Sequence, residues 1–366
     1  MKIKAFKAVF PKVDLITSPS SFFSNIKYTY SEYRKSGFYT PQEKEGIYVY
    51  QIKTRKRKHT GFICCTDVDD LRNKKIRPHE STLAAKEQAM MHLFMQRHAL
   101  VKPVLLGYRP TNGIEKVLKT AIHDRKPIVK VVFSSEEHML WSITDNETIS
   151  SIITQAQKIK RSYICDGHHR SSTVLLLNSS KDLGEDSKKY DELLTAYFPF
   201  NELEISDYNR IVNISSIMPA SRFMAKLSKY FRIKRIKKGR KPEKKHEVSF
   251  YIEGYWYRMR WKKTYLEQNI KSPVLLDSAL INHYIFEKIL KIKNIRTNTR
   301  ITYFSGEEPI SKIERHADDR KCGIGICIYP VAVSELTTTA DNGFTLPPKS
   351  TWFVPRLKSG IVAKDL

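Results

Sequence analysis

The chain of 366 residues is 41% hydrophobic and carries 64 Lys and Arg against 38 Asp and Glu, a formal net charge of +26. This length and apolar content predict a globular protein with room for two domains. The longest apolar runs are only as long as a strand, so we expect neither a signal peptide nor a membrane span.

The first half of the chain alternates predicted strands with predicted helices. It begins with strand-like residues 3–10, a short helix over 28–36, and a hairpin of strands 46–52 and 60–66 around a basic turn. The segments that follow are a helix over 83–100, strands over 103–108, 128–133, 139–143 and 193–199, and helices over 112–124 and 147–159 and from 173. This alternation predicts a mixed α/β fold rather than a bundle or a sandwich.

A second region begins near Ile205. The pattern predicts a helix over 220–230, a basic strand, a hairpin over 248–261, a helix over 278–291, and strands near 301 and over 324–331. We therefore predict two domains, 1–204 and 205–366. The first would bind nucleotide and carry the catalytic residues, and the second would be an α+β domain whose tail can return to that site.

Positive charge is dense in residues 53–59 and 232–241. Two explanations remain open. The preferred one is that these lysines and arginines simply lie at the solvent-exposed ends of hairpins. The other is nucleic-acid binding, because the second segment alternates isoleucine with cations as an edge strand would.

Residues 162–173 are the part of the chain best suited to chemistry. An apolar strand runs into Asp166 and a turn at Gly167, and a helix opens under Ser171. Free N–H groups at such a helix start bind phosphate. Arg170 can grip phosphate with two hydrogen bonds, the two histidines can ligate metal or move protons, and the aspartate suits a hard cation. The structural alternative is a helix cap whose histidines only satisfy neighbouring carbonyl groups.

Four motifs in a fixed order resemble one bacterial family. They are 163–170, 76–82 with Lys86 and Glu87, 207–210, and the tail 346–357. Together they resemble the family catalogued as domain of unknown function 1015, over nearly the whole chain. That family looks related to the ParB and sulfiredoxin-like superfamily, and its closest characterised relatives by motif are free serine kinases. The resemblance implies a ParB/sulfiredoxin-like nucleotide-binding core with a mixed sheet.

The resemblance also implies roles for individual residues. Glu80 would be the base near the substrate hydroxyl, and the turn 166–170 would hold nucleotide and metal. The complete prediction has catalytic Glu80, His168 and Asp166, nucleotide-binding Gly167, His168, His169, Arg170, Ser171 and Lys349, metal-binding Asp166 and His169, and substrate-binding His79. From the residues alone, Glu80 is better explained as a capping or first-turn carboxylate of the helix that follows. Docking of the C-terminal tail explains Lys349 equally well.

The sequence thus predicts a nucleotide-dependent phosphotransferase that acts on a small hydroxyl metabolite, with free serine as the first candidate. ATP or ADP would be the donor and Mg²⁺ a cofactor. The five irregularly spaced cysteines favour a reducing cytoplasm over a disulfide framework. The alternative is a non-catalytic ParB-like protein that binds a nucleotide or nucleic acid. The donor, the acceptor and the oligomeric state stay open.

Overall fold

The computed structural model describes residues 1–133, 135–268, 273–319 and 323–366. Their contacts divide the chain into two compact units. The first unit is Met1–Glu204 with Pro355–Leu366, and the second is Ile205–Val354. Both units combine strands with helices, so the predicted mixed α/β class is confirmed.

The described strands alternate with helices along most of the chain. The strands are β1 (Ile3–Lys4), β2 (Val9–Pro11), β3 (Tyr39–Pro41), β4 (Ile47–Thr54), β5 (Lys58–Asp67), β6 (Ile76–Arg77), β7 (Ala99–Leu100), β8 (Val104–Tyr108), β9 (Val129–Val132), β10 (Glu136–Ile143), β11 (Ser162–Asp166), β12 (Glu192–Pro199), β13 (Glu204–Ser206), β14 (Tyr208–Asn213), β15 (Phe231–Ile236), β16 (Glu247–Ile252), β17 (Tyr255–Trp261), β18 (Ile301–Ser305), β19 (Gly323–Ile328), β20 (Trp352–Val354) and β21 (Lys364–Asp365).

The described α-helices are α1 (Pro19–Lys35), α2 (Asp69–Arg72), α3 (Ala84–Arg97), α4 (Asn112–Ile122), α5 (Asn146–Gln157), α6 (His168–Asn178), α7 (Ala220–Tyr230), α8 (Lys263–Glu267), α9 (Asp277–Leu280), α10 (Ile310–Asp318) and α11 (Val333–Asp341). The 3₁₀ segments are Val13–Leu15, Lys181–Tyr190 and Phe200–Glu202, and a π-helix, Ile281–Ile289, continues α9. Within the described part of the chain, no helix combines the length and the apolar character that crossing a membrane requires.

The first unit is built on a nine-stranded mixed sheet. Its order is β6-β11-β8-β12-β5-β4-β10-β9, and β1 also pairs with β5. The pairs β6/β11 and β8/β12 are parallel, whereas the hairpin β4/β5 is antiparallel. The central strand β12 is buried along nearly its whole length, as expected for a strand covered on both faces.

The N-terminal elements differ from the prediction. The apolar run 3–10 is divided between β1, which pairs with β5, and β2, which pairs with β3. The predicted helix over 28–36 is the end of the longer α1, which begins at Pro19. Proline suits the first position of a helix because that N–H needs no partner within the helix. Local periodicity thus located these elements but did not set their boundaries.

The C-terminal residues Pro355–Leu366 belong to the first unit, whereas the predicted second domain extended to 366. Strand β21 pairs with β7, and Ala363 exchanges backbone hydrogen bonds with Val9 at 3.0 and 2.9 Å. The apolar residues 361–363 are buried. Burial and strand pairing therefore tie the tail to the first unit.

The second unit contains a six-stranded antiparallel sheet of order β15-β17-β16-β19-β14-β18. Helix α7 and the π-helix contribute to the larger core on one face, and α10 packs on the other face. The hairpin β16/β17 turns at Glu253 and Gly254, which have φ of 47° and 81°. Positive φ at both turn residues matches the twist of the two strands, so the predicted turn is present.

Candidate functional site

Three chain segments meet at one edge of the large sheet. Strands β6 and β11 are parallel neighbours, with Ile76 opposite Ser162, so both end at the same edge. Strand β8 is antiparallel to β11, with Leu105 opposite Asp166, and therefore begins there. The residues after β6, the turn after β11 and Lys102 before β8 are brought together by strand order alone.

Gly167 forms the turn between β11 and α6. It has a φ of 110° and is the N-cap residue of α6, and side chains other than glycine rarely adopt this conformation. An added Cβ would also lie 2.6 Å from Nη2 of Arg170. The turn directs the start of α6, with its positive dipole end and its first-turn N–H groups, toward the sheet edge.

Four charged side chains form what we call the Asp166 cluster: Asp166, Lys102, Arg170 and Arg356. Asp166 Oδ2 lies 3.1 Å from Nζ of Lys102 and 3.0 Å from Nη2 of Arg170, and its Oδ1 lies 3.9 Å from Nη2 of Arg356. Burial alone would raise the pKa of Asp166, but the three cations outweigh it and hold this pKa far below its usual range. The carboxylate is therefore ionised, and the four side chains carry a net charge of +2.

Lys102 is the most perturbed cation of the Asp166 cluster. Burial and the neighbouring charge of Arg170 lower the pKa of Lys102 to about 8, and the attraction of Asp166 only partly opposes them. An additional negative charge nearby would stabilise the protonated form of Lys102. The cluster therefore favours an anionic ligand.

The two histidines of the turn hold the segment that follows β6, residues 79–83. Nε2 of His168 accepts a hydrogen bond from the backbone N–H of His79 at 3.3 Å, and Nε2 of His169 accepts one from the N–H of Leu83 at 3.2 Å. The rings of His79 and His168 pack edge to face with centroids 4.5 Å apart. Glu80 lies between these two anchors, so its backbone is bound beside the first turn of α6.

The environment of His168 favours a positioning role, and its catalytic and nucleotide-binding roles stay predictions. Its side chain is buried, and burial lowers the pKa of His168 to about 4. A neutral ring whose Nε2 accepts a backbone hydrogen bond cannot donate a proton from that atom at neutral pH. The geometry instead gives His168 a positioning role.

Ser171 also turns inward. It is 1% exposed, and its hydroxyl donates to the carbonyl oxygens of His168 at 3.0 Å and Gly167 at 3.3 Å. These are bonds of a helical serine to its own preceding turn. The side chain of Ser171 therefore stabilises the start of α6, and a phosphate would meet backbone N–H groups there instead.

The predicted metal ligands, Asp166 and His169, are both engaged by other groups. Asp166 is engaged by the cations of its cluster, and Nε2 of His169 accepts from a backbone N–H. Among the described residues, no group of three His, Cys, Asp or Glu side chains could hold a metal ion. Mg²⁺ is usually bound by one or two carboxylates together with substrate phosphates, so the metal-binding roles of Asp166 and His169 stay predictions.

Lys349 belongs to the second unit. Its Nζ lies 5.2 Å from the centroid of the Tyr208 ring, and its carbonyl oxygen accepts a hydrogen bond from Nη2 of Arg210 at 3.0 Å. These contacts lie within the second unit. The nucleotide-binding role of Lys349 stays a prediction.

Sequence reasoning did not select Lys102 and Arg356. Lys102 directly precedes β8, and only the antiparallel pairing of β8 with β11 explains its position. Arg356 does lie in the tail motif 346–357, which was a usable signal. Neither residue is near Asp166 in sequence, so both depended on the tertiary structure.

A cavity of about 80 Å³, partly open to solvent, adjoins Lys102 and Arg170. Its walls come from α3, α6, β8 and β12 and are mostly aliphatic. The other lining residues are Lys27, Met90, Leu93, Phe94, Arg97, Leu100, Val101, Val104, Val174, Leu193, Leu194 and Ser359. Apolar walls lower the local dielectric and so strengthen the attraction between nearby charges.

The family described as protein of unknown function (DUF1015) matches residues 5–279. The chain matches no curated protein. It is similar to the solved structure of a free serine kinase in complex with AMP, with a TM-score of 0.41, 12% identity, and coverage of 80% of this chain and 87% of that chain. It is similar to a conserved hypothetical protein from Pyrococcus furiosus, with a TM-score of 0.41, 11% identity, and coverage of 83% and 94%. It is also similar to C-terminally truncated SbnI from Staphylococcus aureus, with a TM-score of 0.40, 12% identity, and coverage of 82% of this chain and 87% of that chain.

Proposed function

We propose that this chain is a nucleotide-dependent phosphotransferase. The chain belongs to the DUF1015 family, as its motifs predicted. In the proposal the first unit is a ParB/sulfiredoxin-like core that binds ATP or ADP. The acceptor is a small metabolite with a hydroxyl group, and free serine is the first candidate. The cysteine composition supports a cytoplasmic location for this activity.

The observation that carries the proposal is the Asp166 cluster beneath the start of α6. Three cations share one carboxylate at 3.0 to 3.9 Å, so the cluster retains positive charge. The first turn of α6 adds backbone N–H groups pointing the same way. Arginine and lysine side chains with such a helix start match the oxygens of a nucleotide phosphate chain.

Glu80 is the proposed base. Because His168 and His169 bind the backbone on both sides of it, the residue is held at the sheet edge where the cations lie. In the reaction the acceptor oxygen forms a bond to the terminal phosphorus and the bond from that phosphorus to the bridging oxygen of the donor breaks. The hydroxyl proton passes to the carboxylate of Glu80.

The remaining predicted residues take supporting roles in the proposal. His168 and His169 position residues 79–83, and His79 lines the acceptor side. Arg170, Lys102 and Arg356 neutralise the charge that develops on the transferring group. These cations supply the protein's own electrostatic role, and a Mg²⁺ ion would be bound mainly by the donor's phosphates.

The test measures phosphoryl transfer and nucleotide binding separately. The purified chain is incubated with ATP or ADP and with serine or a panel of other hydroxy amino acids and sugars, and phosphorylated products are identified by mass spectrometry. We expect Glu80→Gln to lower the transfer rate by about a hundredfold or more. Its nucleotide dissociation constant, measured by calorimetry, should stay within about twofold. The exposed Glu43 provides the matched control, Glu43→Gln.

Three outcomes contradict all or part of the proposal. Nucleotide binding without transfer to any acceptor would favour the non-catalytic binding protein, with the same cluster as its ligand site. Undiminished transfer by Glu80→Gln would remove Glu80 as the base. Absence of nucleotide binding would overturn the phosphate site itself.

A further inference from the structure

The second unit carries a concentrated positive charge at one edge of its sheet. Residues 229–263 contain 14 Lys and Arg and three Asp and Glu. They therefore supply +11 of the formal net charge of +26 from a short part of the chain. Strand β15 forms the outer edge of the six-stranded sheet, next to β17. The charge is thus a local property of this edge rather than evenly spread.

The most exposed part of this region is what we call the basic edge. It consists of the exposed cations on β15 and immediately after it: Arg232, Lys234, Arg235, Lys237 and Lys238. Within the described residues, Arg232, Lys234, Lys237 and Lys238 have no carboxylate within 4 Å, whereas Arg240 is paired with Glu243. The basic edge therefore keeps its charge.

The strand register places like charges opposite each other. Arg232 faces Arg260 and Lys234 faces Arg258 across β15 and β17. Glu247 on β16 lies 3.1 Å from Nε of Arg260 and 4.0 Å from Nε of Arg258, so it serves only the β17 side. Like charges directly opposite each other destabilise a strand pair. An anion bound along β15 would remove that repulsion.

An exposed aromatic ring lies at the end of the basic edge. Tyr255, the first residue of β17, is 46% exposed, and the guanidinium of Arg235 lies 3.7 Å from its ring centroid. Cations that follow a backbone, combined with an exposed aromatic ring, are typical of surfaces that bind single-stranded nucleic acid, because unpaired bases stack on such rings.

We infer that the basic edge binds single-stranded nucleic acid, with phosphates along β15 and a base stacked against Tyr255. Protection of an edge strand against aggregation accounts for charged side chains on β15 itself. It explains neither the paired cations of β15 and β17 nor the exposed tyrosine. Single strands are favoured over a duplex because a duplex buries the faces of its bases. This inference does not depend on the phosphotransferase activity.

The test uses labelled single-stranded RNA and DNA of about 20 nucleotides, with fluorescence anisotropy at about 50 mM salt and then at rising salt. The triple variant Arg232→Gln, Lys234→Gln, Lys238→Gln should weaken binding about tenfold or more. It should also make the negative slope of log affinity against log salt shallower by about 2. The matched control Arg55→Gln, Lys56→Gln, Lys58→Gln removes three exposed cations from the other basic hairpin and should change affinity about twofold or less.

A second pair of variants tests stacking without changing charge. Tyr255→Ala should weaken binding about fivefold or more. The matched control is Tyr28→Ala, because Tyr28 is 69% exposed and also lies against a cation, with Nζ of Lys27 at 4.5 Å. It should leave affinity unchanged. Thermal melting of all four variants checks that each is folded.

Several outcomes would overturn the inference. These are absence of binding to both strands at low salt, equal losses in the two triple variants, and tighter binding of a duplex. Preferential binding of anionic vesicles or of an acidic peptide would have the same effect. RNA and DNA arms that differ would identify which polynucleotide the surface favours.

Discussion

Nε2 of His168 accepts a hydrogen bond from the backbone N–H of His79 at 3.3 Å, across a sequence separation of 89 residues. The bond connects the turn after β11 with the segment after β6. It requires a neutral imidazole, and burial supplies this by lowering the pKa of His168 to about 4. This contact links the folding of the site to pH.

His168 should make the protein sensitive to acid. Its unfolded pKa is near 6.5 and its native value about 4, so between these values only the unfolded chain takes up the proton. The stability from this histidine is complete above about pH 6.5 and is lost as pH falls to about 4, by about 3 kcal/mol. In His168→Gln the amide oxygen accepts the same bond without titrating, so urea unfolding should show a smaller loss over this window. This role would be contradicted if His168→Gln lost as much stability over this window as wild type and the exposed control His123→Gln do.

Lys102 should make nucleotide affinity fall at alkaline pH. Burial and Arg170 lower the pKa of Lys102 to about 8, and above that value the ammonium loses the charge that attracts phosphate. Calorimetry with ADP should give about fivefold weaker binding at pH 9 than at pH 8. Lys102→Arg keeps its charge over this range and should bind with little pH dependence. The same alkaline decline in both proteins would assign it to another group.

Arg356 should contribute to phosphate binding from the C-terminal tail. Its Nη2 lies 3.9 Å from Asp166, and loss of one charged hydrogen bond to phosphate costs about 1.5 to 3 kcal/mol. Arg356→Gln should therefore weaken nucleotide binding about tenfold or more. Lys358, in the same tail, pairs with Glu136 at 2.9 Å, so Lys358→Gln is the matched control and should change affinity little. Equal effects would point to a general disturbance of the tail.

Asp166 should matter more for stability than for holding a metal. Replacement by Asn leaves Lys102, Arg170 and Arg356 without their shared carboxylate, and the free energy of unfolding at pH 7 should fall by about 2 kcal/mol. The exposed pair Asp186–Lys189 gives a control, Asp186→Asn, which should leave the free energy of unfolding essentially unchanged. Because its native pKa is lowered, the stability from Asp166 is present above about pH 4 and decreases below it.

The Asp166→Asn variant also separates two roles in binding. If the carboxylate only balances the cations, inorganic phosphate should bind at least as tightly as to wild type, with no requirement for Mg²⁺. Asp166 would instead be a metal ligand if wild type bound phosphate only with Mg²⁺ and the Asp166→Asn variant did not bind it even with Mg²⁺. The measurement is calorimetry with and without Mg²⁺.

Local patterns predicted those parts of the fold that depend on neighbouring residues. The hairpin β4/β5, the helix α5 and the turn at Glu253 and Gly254 all lie where the sequence places them. For α5 the reason is visible in its cap, since Asp145 accepts a hydrogen bond from the N–H of Thr148 at 2.9 Å. Boundaries were less predictable where partners are distant, as in the divided run 3–10.

The sequence by itself determined the family and the strand, glycine turn and helix at residues 162–178. These features depend on adjacent residues, because Gly167 alone permits a φ of 110°. It also indicated that an anion would bind there. It could not determine what each side chain in the turn contacts.

Only the tertiary structure decided the composition of the site. The parallel pairing of β6 with β11 brings residues 79–83 to the turn, the pairing of β8 with β11 adds Lys102, and β21 with β7 ties down the tail that carries Arg356. The same contacts bury His168, which was predicted to be catalytic, and make its Nε2 the acceptor of a backbone hydrogen bond. Strand order is set by the burial of the whole sheet, and no stretch of adjacent residues encodes it.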